Sequence, residues 1–214
     1  MKTNTHWLGV VPYRQAWELQ KQFVAQRSND EIPDTLLLLE HPPTYTIGRS
    51  GGYDHLLVSP QELAERGAEL VEVDRGGDIT YHGPGQLVGY PIVQIKDHGR
   101  DLHRYLRMLE HVIMETLAEY DLQARRFEGY TGVWVGDEKI AAIGVRANAR
   151  GVTSHGFALN VTTHLDDFKL IVPCGIADFG VTSLAKLLPV PPSMNEVREI
   201  VAQQFWTIFG QTTD

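Results

Sequence analysis

The sequence predicts an α/β fold of the α+β type, in which a mixed, mainly antiparallel sheet is flanked by helices. Three observations carry this reading. Segments of strand composition come in runs, at residues 35–47, 70–95 and 132–161, instead of alternating one for one with helices. A long amphipathic helix stands between the last two runs. Further helical patterns lie near the two ends of the chain.

Residues 13–27 carry Ala16, Trp17, Leu19, Phe23 and Val24 in helical register, so an amphipathic helix is expected there. Thr35-Leu36-Leu37-Leu38-Leu39-Glu40 is a compact apolar run that reads as a buried strand, stopped by His41-Pro42-Pro43. A second short strand covers residues 44–47. Ser59-Pro60-Gln61-Glu62 has the capping-box pattern with proline at the first helical position, and predicts a short helix to about Arg66, before Gly67. Residues 70–74, 78–82 and 87–95 read as strands rich in Val, Ile and Tyr. Leu102, Tyr105, Leu106, Leu109, Val112, Ile113 and Leu117 form one stripe, which predicts a helix over 101–122. Residues 132–135, 139–147 and 154–161 follow as antiparallel strands, with Gly136-Asp137-Glu138 as a hairpin turn. Ser193-Met194-Asn195-Glu196 repeats the capping-box pattern and opens a final helix through Val197, Ile200, Val201 and Phe205.

A chain of 214 residues is long enough to build one domain with a real core, and residues 1–214 are read as a single domain. Its net charge of -8 argues against a general nucleic-acid binder. No long uncharged apolar run fits a membrane span, and residues 1–6 do not lead into the apolar region of a signal peptide. One cysteine cannot form an internal disulfide, which fits a reducing cytoplasm, the expected location. His98, His103 and His111 do not make a two-histidine helical ligand pair, and no His-Glu-x-x-His is present, so no metal is expected.

Three segments stand out for chemistry. Cys174 lies in Val172-Pro173-Cys174-Gly175-Ile176, an apolar run broken by Pro and Gly, where a turn would display a reactive sulfur. A buried, inert thiol is the alternative. A free thiol near pKa 8.5 needs roughly 2 kcal/mol to reach about 7. An ammonium ~4 Å away contributes about 4 kcal/mol at an effective dielectric of 20. Lys139, in the apolar stretch Lys139-Ile140-Ala141-Ala142-Ile143-Gly144, is the candidate cation, with a solvated hairpin lysine as the alternative. The third segment, Arg75-Gly76-Gly77-Asp78-Ile79-Thr80-Tyr81-His82-Gly83-Pro84-Gly85-Gln86, packs four glycines and a proline between strands. It reads either as ordinary turns or as backbone built to approach a ligand, with Arg75 and His82 nearby. It lacks the ending of a P-loop, and no helix clearly follows as a dinucleotide fingerprint requires. His82 and His155 each sit beside glycine and are site or turn residues, His82 being favoured by its company.

Read in order, the loop at 75–86, then Lys139-Ile140-Ala141-Ala142-Ile143-Gly144-Val145-Arg146, then His155-Gly156-Phe157-Ala158-Leu159-Asn160-Val161, then Pro173-Cys174-Gly175-Ile176 resemble the octanoyltransferases of lipoate biosynthesis. The likeness spans residues 41–184. It implies a fold shared with the catalytic domains of biotin ligases and lipoate ligases. It also implies transfer of an octanoyl group from octanoyl-acyl carrier protein to a specific lysine on lipoyl domains of 2-oxoacid dehydrogenase E2 subunits or the glycine-cleavage H protein. Under the resemblance Cys174 accepts the acyl group and Lys139 lowers its pKa. Substrate contacts fall on Arg75, Gly76, Gly77, Asp78, Ile79, Thr80, Tyr81 and His82, on Ala142, Ile143 and Gly144, and on Gly156, Phe157 and Ala158. The family often has Ser where Ala142 stands, a departure that matters little if the contact there is made by backbone. No cofactor is implied, because the substrate arrives already activated as a thioester.

Acyl carrier proteins and lipoyl domains are typically acidic, so Arg49, Arg75, Arg125, Arg126, Arg146 and Arg150 are expected to form a basic rim, the alternative being scattered surface arginines. An apolar tunnel should read chain length, at roughly 1.6 kcal/mol for each two-carbon step. Competing readings are an ATP-dependent lipoate ligase, a non-catalytic acyl-binding module, and an octanoyl amidotransferase acting between lipoyl-bearing proteins. Cys174 argues against the first, and its pairing with Lys139 against the second. Donor preference would separate the third.

Overall fold

A computed structural model describes residues 4–172 and 180–210. Two sheets organise them. The larger runs in the order β1 (Thr5–Val10), β2 (Thr35–Glu40), β6 (Gln86–Ile92), β10 (Thr153–Asn160), β9 (Glu138–Ala147), β8 (Gly132–Val135) and β7 (Ala124–Arg125), with β11 (Gly180–Val181) also paired to β9. The smaller places β3 (Thr44–Ile47) between β4 (Glu69–Glu72) and β5 (Ile79–His82). Pairing is mainly antiparallel, the exceptions being β1 on β2, β3 on β4, and β11 on β9. The helices are α1 (Tyr13–Ser28), α2 (Pro60–Glu65), α3 (Leu102–Ala118), α4 (Leu184–Leu187) and α5 (Met194–Phe209).

The apolar run of β2 is explained by its place inside the large sheet. Leu36 and Leu38 join the core beneath α3 and α5, while Leu37 and Leu39 join a second core beneath α1. A strand covered on both faces needs no polar alternation. On α3 the expected stripe buries Tyr105, Leu109, Val112, Ile113 and Leu117, but Leu102 stays 39% exposed at the first turn. The helix stops short of the predicted 122. Asp121 takes a left-handed conformation (φ 57°), and the Leu122 amide turns back to the Leu117 carbonyl. That closure ends a helix even where the apolar period continues.

Capping follows the sequence in part. Ser59 forms a complete box with Glu62, whereas at Ser193 the hydroxyl accepts from the Glu196 amide and forms that half of the box. The strand expected over 87–95 ends at Ile92, and residues 95–98 turn as a 3-10 helix. Sequence periodicity misses β1, whose apolar residues do not alternate, and the very short β7, β11 and α4. No helix among the described residues is long and apolar enough to cross a membrane.

Glu110 ties the long helix to the strand that will matter for the site. Its buried carboxylate accepts from Arg107 and Arg126, both at 2.7 Å, and from the Gly132 amide at 3.2 Å, where β8 begins. Replacing Glu110 with Ala strands that amide and unties two arginines. It is expected to cost roughly 2–3 kcal/mol in urea unfolding; a variant as stable as the parent would show that the contact contributes nothing.

Candidate active site

The small residues of β9 and β10 decide where the cleft lies. Gly144 stands opposite Gly156, and Ala142 opposite Ala158, with Val88 of β6 next in the row. Large side chains there would fill the space, so these positions leave a trough on one face of the sheet. The loop at 75–78, leading into β5, roofs it. The Gly76 amide donates to the Val145 carbonyl at 3.0 Å, and a Cβ added at Gly144 would sit 2.9 Å from the Gly76 oxygen and 3.2 Å from Arg75 Cδ. Glycine is required at 144 for the loop backbone to rest directly on the strand.

The resulting cleft holds about 790 Å³ including its open mouth. Its lining includes Arg75 through Thr80, His82, Lys139, Ala142 through Gly144, and Gly156 through Ala158. Three separated sequence motifs therefore meet in one place. Tyr81 is not among these lining residues; it packs with Tyr45 and Phe168 in the core of the small sheet. Cys174 lies outside the described residues.

Lys139 reaches the cleft through a break in strand register. On β8, Gly132 pairs with Ala142 and Val133 with Ala141, but Trp134 pairs with Lys139. Ile140 is the extra residue. Strict alternation would put Ile140 beside Ala142 and turn Lys139 toward the core. The bulge reverses this, so Ile140 is fully buried with Ala141 beneath the helices, and Lys139 shares the cleft with Ala142 and Gly144.

A chain of buried polar groups runs beneath the roof. Arg75 donates to the carbonyl and hydroxyl oxygens of Thr46 (2.7 and 2.8 Å), and to the Gly76 carbonyl. The Thr46 hydroxyl is 3.4 Å from His82 Nε2. His82 Nδ1 meets Gln86 Oε1 at 2.9 Å, and Gln86 Nε2 donates to Asn160 Oδ1. Asn160 Nδ2 donates to the Thr182 carbonyl, and the Thr182 amide to the Lys139 carbonyl. Since Gln86 Nε2 is a donor, its Oε1 accepts, and His82 carries its proton on Nδ1. A second chain closes the other end: His41 Nδ1 donates to the Val11 carbonyl, its Nε2 accepts from Tyr90, and its ring packs against Tyr13.

These histidines are neutral. Burial pushes His41 down to about 4 and His155 down to about 3, and holds His82 well below the ordinary imidazole range. His155, held with φ 57° and almost fully buried, donates from Nε2 to Asp74, which also pairs with Arg146. Sequence reasoning left His155 undecided and missed Tyr13, Gln86, Val88, Tyr90 and Asn160, which also line the cleft. The alternation Gln86, Val88, Tyr90 on β6 and Gly156, Ala158, Asn160 on β10 was the available signal; Tyr13, at a helix start, offered none.

The basic rim does not form as expected. Arg75 is buried, Arg126 is bound to Glu110, Arg125 to Asp137, and Arg150 to Ser28 and Asn29 at the end of α1. Arg49 and Arg146 remain beside the loop, Arg49 through its amide on the Arg75 carbonyl. Acidic neighbours and hydrogen bonds claim most of the six.

Residues 12–206 match the sequence profile of the lipoyl protein ligase A/B catalytic domain. The chain belongs to this family. It is 53% identical over 213 residues to an octanoyltransferase of Chloroflexus aurantiacus, covering 98% of this chain and 96% of that one. It is 54% identical over 203 residues to an octanoyltransferase of Rubrobacter xylanophilus, covering 94% and 91%. Among solved structures, a bi-partite lipoate protein ligase from Thermoplasma acidophilum superposes with a TM-score of 0.73 at 18% identity, over 98% of this chain and 84% of that one. The biotin protein ligase of Aquifex aeolicus does so at 0.60 and 15%, over 98% and 71%. The octanoyltransferase resemblance and the α/β fold expected from sequence both hold, and the chain is an acyltransferase.

The neutral histidines set a pH dependence. A folded-state pKa below the ordinary 6.5 means that the unfolded chain takes up protons first as pH falls, so stability is lost below about 6.5. The slope should be at least about 1.4 kcal/mol per pH unit between 6 and 4.5. Urea midpoints measured over that range should fall, and fall less steeply in His41→Gln; a flat profile would contradict buried neutral imidazoles.

Proposed function

We propose that the chain, acting as one catalytic domain, moves an octanoyl group from octanoyl-acyl carrier protein to a lysine on lipoyl domains of 2-oxoacid dehydrogenase E2 subunits and the glycine-cleavage H protein. The acyl group rests on Cys174 between the two steps, in the cytoplasm, with Lys139 beside it. The observation that carries this reading is a cleft floored by Gly and Ala, with a lysine turned into one end by a bulge. Downstream of Cys174 in the sequence, Gly180 pairs with Glu138 and Val181 with Lys139. That pairing sets β11 alongside the lysine.

The cleft suits an acyl chain. From Asn160, linked to Lys139 through Thr182, to Gly156 is four residues of strand, roughly 13 Å. An extended octanoyl group, seven C–C bonds of about 1.5 Å, spans roughly 9 Å. The carbonyl lies at the Lys139 end and the tail runs over Ala142, Ala158 and Val88 toward Tyr13 and Tyr90. Neutral His82 and His155 spare the tail a facing imidazolium.

In the first step the Cys174 thiolate, favoured by the Lys139 ammonium, attacks the thioester carbonyl; the carrier thiolate departs and takes a proton from Lys139. In the second, the lipoyl-domain amine attacks the acyl-cysteine. Neutral Lys139 accepts the amine's proton, the amide forms, and the Cys174 thiolate leaves to rejoin the ammonium. One thioester replaces another at little net energy, and the amide drives the sequence forward. Backbone amides near Cys174 or in the glycine loop hold the oxyanion.

Intact mass spectrometry after mixing the protein with octanoyl carrier should show one added octanoyl group. Cys174→Ser should show none, and Lys139→Ala should acquire it at least about 100-fold more slowly. ATP with free octanoate should yield no modified lipoyl domain. Capture by Cys174→Ser, or none by the wild type, would overturn the thioester.

A further inference from the structure

The bulge turns Lys139 into the cleft, but a lysine stem is flexible, and something must hold its end. Trp134 is its cross-strand partner on β8, fully buried, and the Lys139 Nζ stands 4.8 Å from the centroid of the indole ring. The spacing is that of a cation over an aromatic face. The neighbouring positions are shaped around this contact. At Gly132, with φ 142°, an added Cβ would meet the Ala141 carbonyl oxygen at 2.7 Å and the indole tip at 3.3 Å, so a side chain there would press on the backbone of β9 and on the ring, with Lys139 Cε in contact at 3.4 Å. Phe127 packs edge-on against Trp134 at 5.2 Å, and Arg125 lies over Phe127 at 4.4 Å while bonding the Gly136 carbonyl of the β8–β9 turn. Below, Glu110 fixes the Gly132 amide. The indole is therefore held on several sides, with its face turned to the lysine.

We infer that Trp134 is a positioning residue for the transfer reaction: its buried ring is the ledge on which the Lys139 ammonium rests, keeping that charge at one end of the cleft. This deepens the proposed acyl transfer and rests on it. The ring touches neither acyl group nor nucleophile in this scheme. It acts through Lys139, which separates it from a residue that merely fills the core. A core residue affects every variant alike, whereas a ledge matters only while the lysine is there.

Two measurements on the full chain test it. In protein carrying 13C-labelled lysine, the Lys139 ε-methylene signal, assigned by its loss in Lys139→Ala, should lie upfield of the other lysines through the indole ring current. It should return toward them in Trp134→Leu. A wild-type Lys139 signal among the solvent-exposed lysines would overturn the inference whether or not the protein transfers octanoyl groups. The second measurement is single-turnover octanoyl capture. Trp134→Leu should slow it roughly 10-fold, and Trp134→Phe, which keeps an aromatic face, by no more than about 3-fold. In the Lys139→Ala background the Trp134→Leu change should have no further effect. An equal loss in both backgrounds would assign Trp134 to packing alone. Should Trp134→Leu fail to fold, the Phe variant and the wild-type spectrum still decide. Absence of capture by wild type would remove the acyl-transfer reading and leave the spectroscopic result standing.

Discussion

Everything in the cleft depends on how closely the Arg75–Gly77 backbone can approach β9. The Gly76 amide bonds the Val145 carbonyl, and Gly144 has no side chain to hold the loop away. This contact, with the bonds of Asp74 to His155 and Arg146, joins the small sheet to the large one above the trough of Ala142, Gly156 and Ala158. Were the loop pushed out by even one methyl group, the roof would rise and Arg75 would be displaced from Thr46. Loss of tight apolar walls removes the burial that a short acyl chain needs, at about 0.8 kcal/mol per methylene.

The electrostatics follow from the same closeness. Packing two sheets around His82, His41 and His155 excludes water, and burial keeps all three neutral. They act as hydrogen-bond connectors: His82 links Thr46 to Gln86, and His41 links Tyr90 to the backbone. Positive charge at the cleft comes instead from Arg75, bonded to loop and sheet oxygens, and from Lys139. The bulge at Ile140 permits a cation to stand in a strand of Val, Ile and Ala without entering the core.

Much of this was legible in the residues. The Leu36–Leu39 run declared a strand covered on both sides, and the α3 stripe declared its buried face, because both follow from local period. The glycine excess of 75–86 left ordinary turns and a ligand-binding backbone both open; the approach it makes in the fold is to β9 at Gly144. What the residues did not disclose were features set by pairing. The register slip opposite Trp134 decides which way Lys139 points, yet it depends on strands that only tertiary structure brings together. The αL stop at Asp121 was hidden by an apolar period that continued to Leu122. The arginines looked like one rim because charge is visible in sequence, whereas their partners Glu110, Asp137 and Asp74 are close to them only in space. Tyr81 came with its neighbours in the motif, whereas its packing against Tyr45 and Phe168 depends on strands brought together only in space.

The most direct test of this arrangement is where an octanoyl chain lies. Protein loaded with 13C-labelled octanoyl groups from the carrier can be examined by isotope-filtered NOE spectroscopy. The account predicts contacts from the chain to the Ala142 and Ala158 methyls and to Val88, with the terminal methyl near the Tyr13 and Tyr90 rings and C2 nearest Lys139. Contacts confined to other surfaces, or a terminal methyl beside Lys139, would contradict it.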